Sequence, residues 1–134
     1  MKRILIPIAT VLALSGCVTT ADSQPVNNRY KDYVVEHGLE SVQKVTAFKY
    51  QGWKSLDDRH LVLSTSINRS YLVTLDHFCD GLRNANTIKV NQGMSSRLST
   101  RFDSITVPQS MQSKCTIKEI HVLNKVQNKE INKL

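Results

Sequence analysis

The sequence predicts a mainly β protein of the α+β class: a small antiparallel sheet of five or six strands, curled or closed into a barrel, with one short N-terminal helix. Two observations lead to this prediction. Apolar and polar residues alternate on both sides of a short break in the stretch 61–82, LVLSTSINRSYLVTLDHFCDGL, and a period of two is typical of half-buried strands. Shorter alternating runs follow after residue 82, separated by turn residues.

The stretch 61–82 is interpreted as the central hairpin, closed by the four residues Ile67 to Ser70. The second run, Tyr71 to Leu82, also has apolar residues at helical spacing, so a helix is the alternative. We favour a strand because the run is short and rich in Tyr, Val and Thr.

The N-terminus predicts export. Lys2 and Arg3 precede the apolar run Ile4–Leu14, which is too short for a permanent membrane span, and Leu-Ser-Gly-Cys17 completes this region. This resembles the lipobox of bacterial lipoproteins, so residues 1–16 are predicted to be a signal peptide and Cys17 to be lipidated, with diacylglycerol and palmitate. An ordinary secretory signal with an incidental cysteine is the alternative.

Residues 17–28 are predicted to form a lipidated tether, because Thr, Ser, Asn and Pro dominate and large apolar groups are few. Val18 follows the cysteine in place of the aspartate that commonly retains lipoproteins in the inner membrane. The expected location is therefore the periplasmic face of the outer membrane in a Gram-negative envelope.

Residues 29–123 are predicted to form a single globular domain. It begins with a helix from Arg29 to His37, whose tyrosine stripe indicates packing more than a stacking platform for a ligand. A strand is expected over Val42 to Trp53 and another within Leu98 to Val107. Residues 124–134 contain three lysines and few apolar groups, so they are expected to be a basic flexible tail, frayed or weakly helical.

The last strand of the domain requires an irregularity. In a regular strand, the odd-numbered Cys115 and Ile117 would face one side of the sheet, and the even-numbered Ile120 and Val122 would face the other. A bulge near Lys118 and Glu119 would keep all four on the core side. Nine residues are expected to supply much of the core: Leu63, Tyr71, Val73, Leu75, Ile88, Phe102, Ile105, Ile117 and Ile120.

A disulfide between Cys79 and Cys115 is predicted by elimination. The chain has three cysteines, and once Cys17 is lipidated only these two are left. An exported chain meets an oxidising compartment, where such a pair is oxidised.

The chain resembles a domain-of-unknown-function family of small exported bacterial proteins and lipoproteins, over about residues 45–123. The matching positions are Trp53, Tyr71, Leu72, Leu75, Cys79, Leu82, Phe102, Asp103, Ile105, Cys115, Ile117 and Ile120. The resemblance implies export and a compact disulfide-bonded domain, and it implies no activity. A proline that such sequences often carry near the first cysteine is absent around Cys79.

Residues capable of catalysis occur without a recognisable catalytic spacing. The four histidines show no HxxxH or HxH pattern, no serine lies in a GxSxG elbow, and no glycine-rich phosphate loop is present. Asp57 and Asp58, beside Arg59 and His60, are interpreted as a solvated turn. Asp103 is expected to point inward and to be held by hydrogen bonds or by Arg97 or Arg101, in a structural role. No enzyme activity, cofactor or metal is therefore expected.

The charge is unevenly distributed. Residues 18–82 contain 7 basic and 8 acidic side chains, whereas residues 83–134 contain 9 basic and 3 acidic ones. This half is predicted to contact an anionic cell-wall or lipid surface, or an acidic envelope protein, although a merely solvated surface is an equal alternative. The expected contacts are Arg83, Arg97, Arg101, Lys125, Lys129 and Lys133.

Three function classes follow. The first is a lipid-anchored envelope protein with a binding or structural domain, attached to the membrane through its lipid. The second is an inhibitor of a cell-wall lytic enzyme, although common lysozymes are basic and would repel a basic inhibitor. The third, a small periplasmic hydrolase, lacks a recognisable nucleophile and base. Nucleic-acid binding is disfavoured by export.

Overall fold

The computed structural model describes residues 29–111 and 114–134. The predicted signal peptide (1–16), the predicted tether (17–28) and Cys17 lie outside the described residues. Within the described ranges no helix is long and apolar enough to cross a membrane.

The described chain contains short strands, two α-helices and one 3₁₀ turn. The helices are α1 (Arg29–Glu36) and α2 (Lys125–Ile131), and the 3₁₀ turn is Leu82–Asn84. The strands are β1 (Ser41–Val42), β2 (Lys44–Thr46), β3 (Gly52–Ser55), β4 (His60–Ser66), β5 (Arg69–Leu75), β6 (Lys89–Asn91), β7 (Arg97–Ser99), β8 (Ser104–Thr106) and β9 (Cys115–Leu123).

All strand pairs are antiparallel. Six strands follow one another across the main sheet in the order β3-β4-β5-β9-β8-β6, and β1 pairs with β9 beside this path. The sheet curls into a half-barrel, while β2 and β7 form a separate two-stranded ribbon. The prediction of a mainly β fold with a curled antiparallel sheet is confirmed.

The central hairpin is confirmed, with a tighter turn than expected. Strands β4 and β5 pair from His60 opposite Thr74 to Ser66 opposite Arg69, so the turn is Ile67 and Asn68. The strand ends at Leu75 and irregular chain follows. The strand interpretation of Tyr71 to Leu75 is therefore correct, and the helical alternative is wrong.

The predicted bulge is present in β9. Thr74 of β5 pairs with Glu119, and the next residue, Leu75, pairs with Ile117. Lys118 is thus the extra residue. Ile117 and Ile120 are both fully buried because the bulge resets the alternation between them.

The sheet is covered on both faces. One core cluster is formed by alternate residues of the hairpin and of β9, such as Leu63, Val73 and Ile117. The second contains Val62, Leu72 and Leu123, which face the opposite way and pack with Tyr30, Tyr33, Leu39 and Ile131. The two helices therefore cover the outer face of the sheet.

Helix α1 is attached to α2 through Tyr33. Its hydroxyl donates to Glu130 Oε2 at 2.6 Å, and its ring stacks on His37 with centroids 3.9 Å apart. Burial and the acceptor carboxylate raise the pKa of Tyr33, so the phenol stays protonated and keeps its donor. The tyrosine stripe of α1 is therefore used for packing.

The C-terminal segment is helical, as one of the two predicted alternatives has it, but it is docked on the sheet and is not a flexible tail. Residues Lys125–Ile131 form α2, and Ile131 is fully buried in the second core cluster. A capping box begins the helix: Gln127 N donates to Asn124 Oδ1 at 2.8 Å, and Asn124 N donates to Gln127 Oε1 at 2.9 Å. The capping box, the buried Ile131 and the hydrogen bond from Tyr33 to Glu130 thus hold this segment on the sheet.

Two predicted strands are interrupted. The one expected over Val42 to Trp53 is divided among β1, β2 and β3, with Ala47 in the left-handed region at φ 54°. The one expected within Leu98 to Val107 is divided between β7 and β8, with Arg101 at φ 69°. In each case the chain leaves the β2–β7 ribbon and joins the main sheet, so a continuous strand is impossible.

Most of the predicted core is confirmed. Seven of the nine residues are buried, namely Leu63, Tyr71, Val73, Leu75, Ile105, Ile117 and Ile120, and Ile88 is partly buried against the same cluster. The prediction is wrong for Phe102, because its side chain is 89% exposed. Its position in the loop between β7 and β8 removes it from the alternation of a strand.

Candidate functional site: a basic cleft

The six predicted contact residues are divided among three places. Arg97 and Arg101 line one cleft. Arg83 and Lys133 line a second one. Lys125 and Lys129 are exposed on α2. The structure therefore does not bring all six together.

The first cleft has a volume of about 440 Å³ and lies between the β2–β7 ribbon, the end of β1 and the bulge of β9. Four basic side chains and one carboxylate line it: Lys44, Arg97, Arg101, Lys118 and Glu119. Hydroxyl groups of Ser41, Ser99 and Thr100 also belong to its wall. We call this site the basic cleft.

The β2–β7 ribbon directs two of these cations away from the core. Val45 pairs with Leu98 and both are buried, whereas the flanking pairs are Lys44 with Ser99 and Thr46 with Arg97. Because successive side chains of a strand point to opposite faces, Lys44 and Arg97 share the face opposite to the buried pair. Strand β7 thus buries Leu98 and presents Arg97 and Ser99 to the cleft, while β2 buries Val45 and contributes Lys44.

The bulge of β9 supplies the third cation. Lys118 and Glu119 are both exposed, between the buried Ile117 and Ile120. Without the extra residue, one of the two would point into the core. The same irregularity that keeps the strand buried therefore places Lys118 at the cleft.

The loop between β7 and β8 supplies Arg101 in a held conformation. Arg101 N donates to Ile117 O at 2.7 Å, and Thr100 N donates to Gln43 O at 2.9 Å. A positive φ is uncommon for arginine, so these bonds maintain a backbone conformation that the residue itself does not favour.

Asp103 organises the same loop from inside. Its carboxylate is buried, with Oδ2 accepting from Ser99 N at 2.6 Å and Oδ1 accepting from Gly93 N at 2.9 Å. Asp103 does point inward, and of the two predicted ways of holding it the structure shows the hydrogen bonds, which backbone amides donate. In the described residues neither Arg97 nor Arg101 pairs with it. A buried carboxylate that accepts backbone N–H bonds is satisfied without a cation.

Among the described residues, the cations of the basic cleft form no ion pair with an acid. In the part of the chain that the structure describes, Lys44, Arg97, Arg101 and Lys118 have no carboxylate oxygen within 4.0 Å. Arg83 differs, because its Nε lies 3.6 Å from Asp58 Oδ2. The basic cleft therefore has more uncompensated charge than the surroundings of Arg83.

In the second cleft, of about 330 Å³, two of the four basic side chains are already engaged. Arg29, Lys54, Arg83 and Lys133 line it. Arg29 Nη1 donates to the carbonyl oxygen of Leu134, and Arg83 is paired with Asp58. This cleft is the weaker candidate for a ligand.

The predicted solvated turn at Asp57 and Asp58 is only partly correct. Asp57 and His60 are buried, and His60 Nδ1 lies 3.0 Å from both carboxylate oxygens of Asp57. Asp57 Oδ1 also accepts from the amides of Arg59 and His60, each at 2.7 Å. The carboxylate thus closes the turn between β3 and β4 from within.

The environment of Asp57 has opposing effects on its pKa. Burial acts to raise the pKa, but the hydrogen bonds from His60 and from the two amides outweigh it and leave the pKa below its ordinary value of 3.8. A lowered folded pKa contributes stability above pH 3.8 that is lost as the pH falls through the folded value. The contribution of the Asp57 carboxylate to stability is therefore lost in acid.

The other histidines lie apart from one another. His37 contacts Tyr33 and Glu130, and His77 Nε2 lies 3.3 Å from Asp76 Oδ2. His121 is buried in β9, where desolvation lowers its pKa. Across residues 29–111 and 114–134, no three His, Cys, Asp or Glu side chains come together as a metal site requires.

The predicted disulfide is present. Cys79 and Cys115 are bonded, with their Cα atoms 5.8 Å apart, and both are buried. The bond joins the loop after β5 to the start of β9 and closes the segment that contains β6, β7 and β8. The Arg97 and Arg101 side of the basic cleft belongs to that closed segment.

Three residues of the basic cleft were missed by the sequence. Lys44 and Lys118 were not among the predicted contacts, and Phe102 was assigned to the core. Lys118 had a usable signal, because it sits at the predicted bulge. Phe102 had a weaker one, since it lies between two charged residues, Arg101 and Asp103.

Fold and site together define a small disulfide-bonded antiparallel β protein with a cation-lined cleft. The chain belongs to the Family of unknown function (DUF6491), whose profile matches residues 1–134. The resemblance inferred from the paired-cysteine pattern to a family without a known activity is thereby confirmed. No curated protein and no solved structure matches the chain significantly.

Proposed function

We propose that this protein is a lipid-anchored component of the outer membrane, facing the periplasm, and that its β domain binds anionic groups of the envelope without catalysing a reaction. The single observation that supports binding is the basic cleft, where four cations face one carboxylate. Its cations come from three separate parts of the chain, so the fold itself assembles the charge.

The anchor is supported by the sequence alone. A positive start, an apolar run and Leu-Ser-Gly-Cys17 occur in register. Acyl chains contribute roughly 0.8 kcal/mol per buried methylene, so several of them hold a protein at a membrane permanently. Binding by the domain would then act on material that is already nearby.

Replacement of Cys17 by serine should leave the chain either unprocessed or released from the membrane, because serine offers no sulfur for acylation. Membrane and soluble fractions of cells that express each form measure this directly. A second variant, Ser15→Ala, keeps a small residue before the cysteine and should be processed and retained like the wild type. Normal processing and retention of the Cys17→Ser chain would exclude a lipid anchor at this position.

Binding to anionic material should be sensitive to salt. Residues 17–134 with Cys17→Ser lack the predicted signal peptide and the lipid, and this chain should sediment with anionic vesicles or isolated cell wall at 50 mM salt. The bound fraction should fall at least several-fold at 500 mM salt, because the Debye length decreases from about 14 Å to about 4 Å. Neutral vesicles are the control. Equal sedimentation with neutral and anionic material, or none with either, would refute a function in anion binding.

The two other function classes stay predictions for the same protein. An inhibitor would slow a cell-wall lytic enzyme in a turbidity assay, and a hydrolase would release products from envelope substrates. No contact in the described chain specifically favours either class.

A further inference from the structure

The basic cleft has two features that a general attraction to anionic surfaces does not require. Its cations converge on one cavity from β2, from β7 with its following loop, and from the bulge of β9. An aromatic side chain, Phe102, lines the same cavity and is 89% exposed. A diffuse electrostatic surface requires neither convergence nor an exposed ring.

The number of donors indicates the chemistry of the anion. One carboxylate carries a single charge and is fully engaged by one arginine through two parallel hydrogen bonds. Two arginines and two lysines that surround one cavity, against Glu119 alone, exceed that requirement. A phosphate ester has up to two charges and several acceptor oxygens that point in different directions, and it matches donors that approach from several sides.

The exposed ring of Phe102 indicates that the ligand also has an apolar part. Phe102 directly follows Arg101, whose left-handed backbone is held by its hydrogen bond to Ile117. The following residue, Asp103, is fixed by its bonds to Ser99 N and Gly93 N. The ring is therefore displayed from a loop that is anchored on both sides of it, and it offers an apolar face beside the cations.

We propose that the basic cleft is a binding site for a phosphate ester, with the phosphate held by Lys44, Arg97, Arg101 and Lys118 and the carbon part of the ligand placed against Phe102. This inference rests on the proposed function and narrows its anion to a phosphate. Both a phospholipid headgroup and a soluble phosphate ester supply this chemistry.

The experiment uses residues 17–134 with Cys17→Ser, which lack both the predicted signal peptide and the lipid, and three probes. Glycerol 3-phosphate, measured by calorimetry, represents the soluble ester. Phosphatidylglycerol vesicles, measured by flotation against phosphatidylcholine vesicles, represent the headgroup. Isolated cell wall, sedimented under the same conditions, represents carboxylates. Binding of glycerol 3-phosphate identifies a soluble source, and binding of phosphatidylglycerol vesicles alone identifies a lipid source; either result supports the proposal.

Matched variants separate the cleft from general charge. Arg101→Gln with Lys118→Gln removes two charges from the cleft and should weaken phosphate-ester binding at least tenfold. Lys125→Gln with Lys129→Gln removes the same charge from α2 and should change it less than twofold. Phe102→Ala should weaken binding of the vesicles several-fold, and circular dichroism should show an unchanged fold because the ring is exposed.

Each contrary result has a distinct meaning. Equal losses for the two charge pairs would overturn the site and leave a diffuse contact with anionic material, which is still compatible with the proposed function. Binding of cell wall without either phosphate probe would overturn the phosphate and keep the proposed function. Binding of none of the probes would overturn both.

Discussion

Replacement of Cys79 and Cys115 together by alanine should lower the free energy of unfolding by about 4 kcal/mol, the loss expected from opening a loop of this length. The two cysteines are separated by 36 positions. Without the bond, the unfolded chain regains the conformational freedom that the closed loop removes. Loss of the buried sulfur contacts adds to the effect, since both residues are almost fully buried.

Denaturant unfolding with and without reductant measures this effect. The wild type should lose about 4 kcal/mol of stability on reduction, whereas the double variant should be insensitive to reductant. The reduced wild type also separates the cross-link from the cavity, because it keeps both sulfur atoms. Equal unfolding midpoints for the oxidised and reduced wild type, or two free thiols by mass spectrometry in the exported protein, would contradict the role given to this bond.

The disulfide also restrains one side of the basic cleft. The closed segment contains β7 and the loop with Arg101, while Lys44 and Lys118 lie outside it. The short ribbon of β2 and β7 has only three residue pairs. A cross-link at the base of the segment therefore limits how far the two sides of the cleft can separate, and reduction should weaken ligand binding before the protein unfolds.

Replacement of Ile131 by alanine should lower the free energy of unfolding by about 2 to 4 kcal/mol, the usual cost of truncating a buried isoleucine. Ile131 is fully buried and packs in the cluster that contains Leu72 and Leu123. The residue lies in the segment that composition marks as a flexible tail, so a large effect there is a strong test of helix α2.

Val126→Ala is the matched control on the same helix. Val126 is 62% exposed, and its truncation should change stability by less than about 0.5 kcal/mol. Chemical denaturation of both variants gives the comparison. If both substitutions have the same small effect, the C-terminal segment does not dock on the sheet.

Most of the buried core could be predicted from the alternation of apolar and polar residues along the chain. The hairpin of β4 and β5, the bulge in β9 and seven of nine core residues follow from the alternation of side chains, because the pleat of a strand has a strict period of two. The irregular regions followed no such rule. Ala47 and Arg101 adopt left-handed backbones that neither residue prefers, so neither interruption could be predicted from propensity.

The site was predicted only in part. Arg97 and Arg101 came from the charge excess of the C-terminal half, which also included Arg83, although Asp58 neutralises it. Composition gives the number of charged side chains but does not show which of them are paired. Lys44 was overlooked because it lies in the half of the chain where acids and bases balance, and it reaches the cleft only through the pairing of β2 with β7.

The sequence by itself determined the alternating core, the cysteine pair and the family, because each depends on local spacing or on elimination among few residues. Only the tertiary structure decided that the C-terminal segment is a docked helix, that Asp103 is held by amides and that Phe102 stands in solvent beside four cations. These features depend on contacts between residues far apart in the chain. Ser99 and Ile117, which hold the loop that displays Phe102, belong to different strands, and their proximity is a product of the fold.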